Sequence, residues 1–235
     1  MSNKFFIDTE FLEGPQKRLF GYTKPTIDFI SIGIVDEVGR DYYAVSKDFN
    51  LKEAWNRYDE VINKHFPDGP EYNRLYWIRE NVLKPIFYDL VKYAREDDGE
   101  ISYEFNYRNF KTLLNKYGKG NKTIAQEILS FVGKEKPVFY GYYADYDWVV
   151  FCWLYGRMID LPSNYPMYCT DLKQMYDIEN AKFVEKRKLK QAKFGDTTIH
   201  ELKDVKSYPK NNNEHNALAD AKWNKELYKF LDYKA

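Results

Sequence analysis

The stretch KFFIDTEFLE, residues 4–13, closes an apolar run with two carboxylates two positions apart, Asp8 and Glu10. Side chains alternate across a strand, so both project from one face, a few ångströms from each other. Anions held that close either raise a pKa or take up a cation. A lone D-x-E also suits a strand end reaching water, and the same spacing recurs at Asp98/Glu100 and Asp177/Glu179. The other acids of the chain decide between these readings.

Two of them stand where apolar residues are expected. In NEHNALADAKWNKELYKFL the helical stripe through Trp223, Leu227 and Phe230 or Leu231 runs back to Asp220. In ADYDWVVFCWLYG, Asp147 lies on the line of Val150, Phe151 and Leu154. An acid facing a core is costly unless something pairs with it. Asp145 or Asp147 taken alone reads as a helix cap, but both cannot be the cap. No basic residue adjoins these acids in sequence, and oxygen-only ligands are what Mg²⁺ or Mn²⁺ prefers. Two such ions roughly 3.5–4 Å apart hold a phosphodiester, activate a water and stabilise the leaving oxygen. His215 precedes Asp220 by five residues, a spacing that neither His65 nor His200 has. An imidazole, with an ordinary pKa near about 6.5, suits a general base for that water.

The elements that must position these groups follow from the pattern. After the first strand, residues 29–35 and 40–45 flank the polar DEVG and read as an antiparallel hairpin. From 50 to about 133 the pattern is helical, with LKEAWNRYDEVINKHF, NRLYWIRENVLKPIFYDLV and TIAQEILSFVG as its segments, Thr123 as a start cap and Gly133 as an end. KPVFYGYY reads as a fourth strand entering the apolar helix that carries Asp147, and PMYCTDL as a fifth. Residues 13–25, 95–122 and 179–210 read as surface insertions; the G-K-G at 118–120 follows no strand and is loop. The third is locally basic, with Lys182, Lys186, Arg187 and Lys188, and reads as a solvated face or a phosphate-backbone contact.

Composition narrows the function classes. At 235 residues, 44% hydrophobic and 31% charged, the chain fits one folded domain. No apolar run approaches the roughly 20 residues of a membrane span, and the N-terminus enters a strand pattern at once, which indicates a cytoplasmic protein without a signal peptide. Cys152 and Cys169 are too few for a disulfide framework or a cysteine metal site. A net charge of zero argues against a protein that coats nucleic acid through bulk positive charge, but not against a nuclease that imports positive charge as metal. Aromatic residues make up 18%, enough to supply rings that stack on bases.

Taken in order, D-T-E at 8–10, Y-D at 146–147 and H-N-A-L-A-D at 215–220 resemble the motifs of the DEDDh group of 3′-5′ exonucleases, whose fold is ribonuclease H-like. Asn216 disfavours the tyrosine variant of that superfamily. FIDTEFLE, ISIGIVDEVGRDYYAVS, YWIRENVLKPI and DYDWVVFCWLYG look like the small bacterial exoribonucleases of the RNase AS type. The resemblance implies an α/β fold with a central mixed five-stranded sheet in the order 3-2-1-4-5, flanked by helices. It also implies a single exonuclease domain over 1–235. Asp8, Glu10 and Asp220 would bind one Mg²⁺ and Asp8 a second, Mn²⁺ being able to substitute. Asp147 would help through ligand waters and His215 would deprotonate the attacking water. Nucleoside 5′-monophosphates would leave single-stranded RNA from its 3′ end, with adenylate tails preferred and a homodimer as the assembly. Phe11 and Leu12, just past the first acids, are candidates for base contact and equally for the core. Two other readings share these residues. A proofreading-type DNA exonuclease differs only in sugar preference, and a catalytically silent nucleic-acid-binding module would leave RNA intact.

Overall fold

A computed structural model of the chain describes residues 3–18, 20–63, 71–98, 103–194, 201–211 and 214–234. The elements run β1 (Lys4–Gly14), β2 (Thr26–Asp36), β3 (Asp41–Val45), α1 (Leu51–Asn56), β4 (Asp59–Asn63) and β5 (Glu71–Leu75). There follow α2 (Lys84–Asp98), α3 (Tyr107–Tyr117), α4 (Asn121–Val132), β6 (Val138–Gly141) and α5 (Asp145–Trp153). β7 (Thr170–Asp171), α6 (Leu172–Phe194) and α7 (Ala217–Lys234) complete the chain. The protein is α/β, with a five-stranded mixed open sheet in the order β3-β2-β1-β6-β7 and a two-stranded sheet β4-β5. The five-strand order is the expected one, with β1 in the middle.

Burial explains why β1 and β2 are nearly continuous apolar runs. Phe5, Phe6 and Ile7 are buried, as are Ile30, Ile32 and Ile34, the pattern of strands covered on both faces. β6 runs parallel to β1, pairing Phe5 with Phe139 and Phe6 with Tyr140, and β7 runs parallel to β6. The four residues between β2 and β3 leave only an antiparallel connection. Buried Asp36 holds this turn: Oδ1 accepts from Gly39 N and Arg40 N, each at 2.8 Å, and Oδ2 from Arg40 Nε at 2.6 Å.

Contacts divide the chain into two compact units. One comprises Met1–Thr9, Ile32–Tyr43 and Gln126–Ala235. In it the apolar stripe of α7, with Leu227, Phe230 and Leu231 buried, packs with Leu172 and Tyr176 of α6 and with Leu202. The start of α7 lies directly against β2 at Gly33. A Cβ there would stand 2.2 Å from the Ala217 carbonyl oxygen and 2.4 Å from Leu218 Cα. Only a residue without a side chain permits that approach.

The other unit comprises Glu10–Ser31 and Ala44–Ala125. Asn50 caps α1 by accepting from Glu53 N at 3.1 Å, and Asn106 caps α3 by accepting from Asn109 N at 2.9 Å. Trp55, Phe87, Phe105 and Phe110 pack ring on ring, with the Arg79 guanidinium 5.0 Å from the Trp55 ring.

Four expectations are corrected. Residues 59–63 and 71–75, read as helix, are the paired strands β4 and β5; residues 64–70 lie outside the described residues. Within 95–122, read as a polar surface insertion, α3 buries Phe110, Leu113 and Leu114; residues 99–102 lie outside the described residues. Thr123 is not a cap, since α4 begins at Asn121 and Gly120 O accepts from Thr123 N and Ile124 N. Neither Asp145 nor Asp147 caps α5: the N-cap is Ala144, whose N–H donates to Asp171 Oδ2 at 3.0 Å. The basic segment 179–210 begins as the second half of α6, and residues 195–200 lie outside the described residues. No helix among the described residues is long and apolar enough to cross a membrane.

Candidate active site

β1 carries the first two acids on one face, as the two-residue alternation requires, with Asp8 half-buried and Glu10 9% exposed. α7 brings the third. Asn216 Oδ1 accepts from Ala219 N at 3.1 Å and Asn216 O from Asp220 N at 2.9 Å, which sets Asp220 in the helix's first turn. One carboxylate oxygen of each of Asp8, Glu10 and Asp220 lies within 4.8 Å of the other two. Two acids of β1 and a third more than 200 residues further along the chain thus share one point.

Neutral groups fix the geometry around that point. Asp220 Oδ1 accepts from Asn211 Nδ2, and Oδ2 accepts from the backbone N–H of His215 at 2.9 Å. One turn further along α7, buried Asn224 donates from Nδ2 to Ile7 O at 2.9 Å, tying the helix to the residue before Asp8. Asp147 sits apart from the trio. Its Oδ1 accepts from Thr9 N at 2.8 Å and Thr9 Oγ1 at 2.6 Å, so the fourth acid is anchored to the middle residue of D-T-E.

The electrostatics run against ionisation. Burial pushes the Asp147 carboxyl up to about 6, against the two Thr9 hydrogen bonds and with the Asp220 charge adding to it. Burial likewise raises Asp220, opposed by Asn211 and by the His215 N–H. A positive charge brought among these carboxylates would relieve both. The donor set consists of carboxylate oxygens without sulfur or imidazole, which fits a hard cation such as Mg²⁺ or Mn²⁺ and not a thiophilic one.

Asp8 and Asp220 open into a hollow of about 280 Å³ whose other lining residues are Tyr142, Asn211, Glu214, His215, Trp223 and Asn224. His215 therefore reaches the space in front of the acids. Its backbone is left-handed at φ 66°, and Tyr143, at φ 56°, is the other described non-glycine residue in that region. Such conformations cost on the order of 1–3 kcal/mol and collect at functional sites. Of the two candidates for base contact, Phe11 is half-buried, whereas Leu12, 1% exposed, fills core.

Thr9, Asn211 and Asn224 support the site in ways that the motifs do not assign. Thr9 offered a signal, a small hydroxyl between two acids. Asn211, in an NNN run, and Asn224, inside an ordinary helix, offered none, because their partners lie 9 and 217 residues away.

An α/β protein whose middle strand and last helix gather three carboxylates beside a histidine has the parts of a metal-assisted hydrolase. More particularly, the chain belongs to the Rv2179c-like family of 3′-5′ exoribonuclease domains, whose model matches residues 88–231, a span that includes Asp147, His215 and Asp220. Among curated proteins, it is similar to the 3′-5′ exoribonuclease Rv2179c of Mycobacterium tuberculosis strain H37Rv, 28% identical over 174 residues, 74% of each chain. The 3′-5′ exoribonuclease MT2234.1 of strain CDC 1551 matches over the same extent.

Proposed function

We propose that this protein is a metal-dependent 3′-5′ exoribonuclease of the DEDDh type, with a ribonuclease H-like fold, that removes nucleoside 5′-monophosphates from the 3′ end of single-stranded RNA. The observation that carries this reading is the convergence of Asp8, Glu10 and Asp220 to within 4.8 Å beside His215. The family and the names of the relatives support the reaction class and its direction.

Asp8, Glu10 and Asp220 would hold Mg²⁺, with Asp8 shared between two ions. When bound, the ions supply a Lewis acid for the phosphodiester and a lowered pKa for the attacking water. The protein does the rest. Asn211 and the His215 N–H keep the Asp220 carboxylate in one orientation, as neighbours of a ligand commonly must. Asp147, with Oδ1 occupied by Thr9, acts through its remaining oxygen and an intervening water. His215 takes the proton of the attacking water as general base.

The test uses RNA labelled at the 5′ or at the 3′ end, in Mg²⁺ or in EDTA. In Mg²⁺, 5′-labelled RNA should shorten one nucleotide at a time while the 3′ label is released at once as mononucleotide; EDTA should stop both. RNA that persists in Mg²⁺, or a label released first from the 5′ end, overturns the proposal. Adenylate tails are the substrates to try first.

A further inference from the structure

The hollow has a wall that the hydrolytic chemistry leaves unused. Tyr142 and Trp223 line it, with ring centroids 5.0 Å apart at 81°. The Trp223 ring is held in place by Nε1 donating to Pro209 O at 3.1 Å. Tyr143 continues the run outward, 4.9 Å from Tyr142 at 73°. Three rings therefore lead from the acids to solvent, where Tyr143 is 63% exposed.

Folding does not account for the outer ring. A side chain so exposed gains little from burial, and its left-handed backbone is one that glycine takes freely and a bulky residue does not. Lys173 Nζ lies 5.7 Å from the Tyr143 centroid but is bonded to both Asp177 oxygens at 2.5 Å, which neutralises it as an anion site. The lip thus offers aromatic surface rather than charge. Edge-on contacts cover one ring's face and leave the other ring's faces open. The volume, about 280 Å³, sits just below the range of small-ligand sites, which begins at about 300 Å³, and so limits the occupant to a small group.

We propose that Tyr143, Tyr142 and Trp223 form the base-binding wall of the site. The base of the 3′-terminal nucleotide stacks there while its phosphate reaches the acids. The inference rests on the hydrolytic reading above. Stacking is tolerant of base identity and grows with stacked area, so the wall ranks purine ends above pyrimidine ends.

The experiment follows Mg²⁺-dependent hydrolysis of RNA oligonucleotides that differ only at the 3′ end, carrying adenine, cytosine or an abasic ribose. The parent is compared with Tyr143→Gly and Tyr143→Phe. For the adenine end, Tyr143→Gly should raise KM about tenfold, the scale of one base–aromatic stack, and Tyr143→Phe should restore the parent value. For the abasic end the three proteins should share one KM. Glycine suits the left-handed backbone, so the melting temperature of Tyr143→Gly should equal or exceed the parent's, and the loss will not be one of folding. Unchanged KM on the adenine end, with hydrolysis intact, overturns the wall and leaves the hydrolytic reading standing. An equal loss on adenine and abasic ends also overturns it. A parent that hydrolyses none of the RNAs overturns the hydrolytic reading and the wall with it.

Discussion

Asp147 is an acid whose surroundings favour its neutral form, and this has a measurable sign. Its folded pKa, about 6, lies above the roughly 3.9 of an unfolded aspartate. Between those values the folded state binds more protons than the unfolded one, so stability falls as pH rises through that window. In EDTA, the parent should therefore lose melting temperature relative to Asp147→Asn between about pH 4 and pH 6, since asparagine keeps an oxygen for the Thr9 bonds without the charge. Thermal melts of both proteins across that range check the difference, and a constant gap contradicts it. Asp220 is shifted in the same direction, and the proposed binding of Mg²⁺, by favouring the ionised forms, should shrink the effect.

At the scale of elements, the critical join is between β2 and the start of α7. Gly33→Ala would put a Cβ 2.2 Å from the Ala217 carbonyl oxygen, a backbone atom that cannot swing aside. Overpacking of this kind costs about 1–3 kcal/mol or more, and a shift of α7 moves Asp220 away from Asp8. A misplacement of about 1 Å can cost on the order of a hundredfold in rate. Gly33→Ala should thus lower both urea stability and RNA hydrolysis, whereas parent-like values for both would show that α7 is not seated by this glycine. Much of this frame was legible beforehand. The alternation at Asp8 and Glu10, the broken stripe at Asp220 and the ordered motifs led to the acids that the structure brings together, and the sheet order followed the resemblance. The hairpin β4–β5 reads as helix because Leu51–Asn56 begins with helical spacing and strand pairing depends on a partner outside the local pattern. α3 is hard to read although Phe110, Leu113 and Leu114 stand at spacings of three and one, because polar residues surround them on both sides. Asn224 and Asn211 act through contacts that no local pattern encodes.

On the scale of the whole molecule, a chain with no net charge gathers three carboxylates at one point, and in the proposed reading cations recruited there let it handle a polyanion. Asp8 is one of the two acids that β1 brings to this point and the one that lines the hollow, and removing it should abolish hydrolysis while leaving the fold. The direct measurement is the time course of 5′-labelled single-stranded RNA in Mg²⁺ with the parent and with Asp8→Ala, both verified as folded by their melting curves. Loss of a proposed direct ligand should exceed the roughly 10–100-fold typical of residues behind a metal ligand: the parent yields a descending ladder of single-nucleotide steps, and the variant leaves the RNA at full length. A variant that shortens the RNA as fast as the parent would contradict the account.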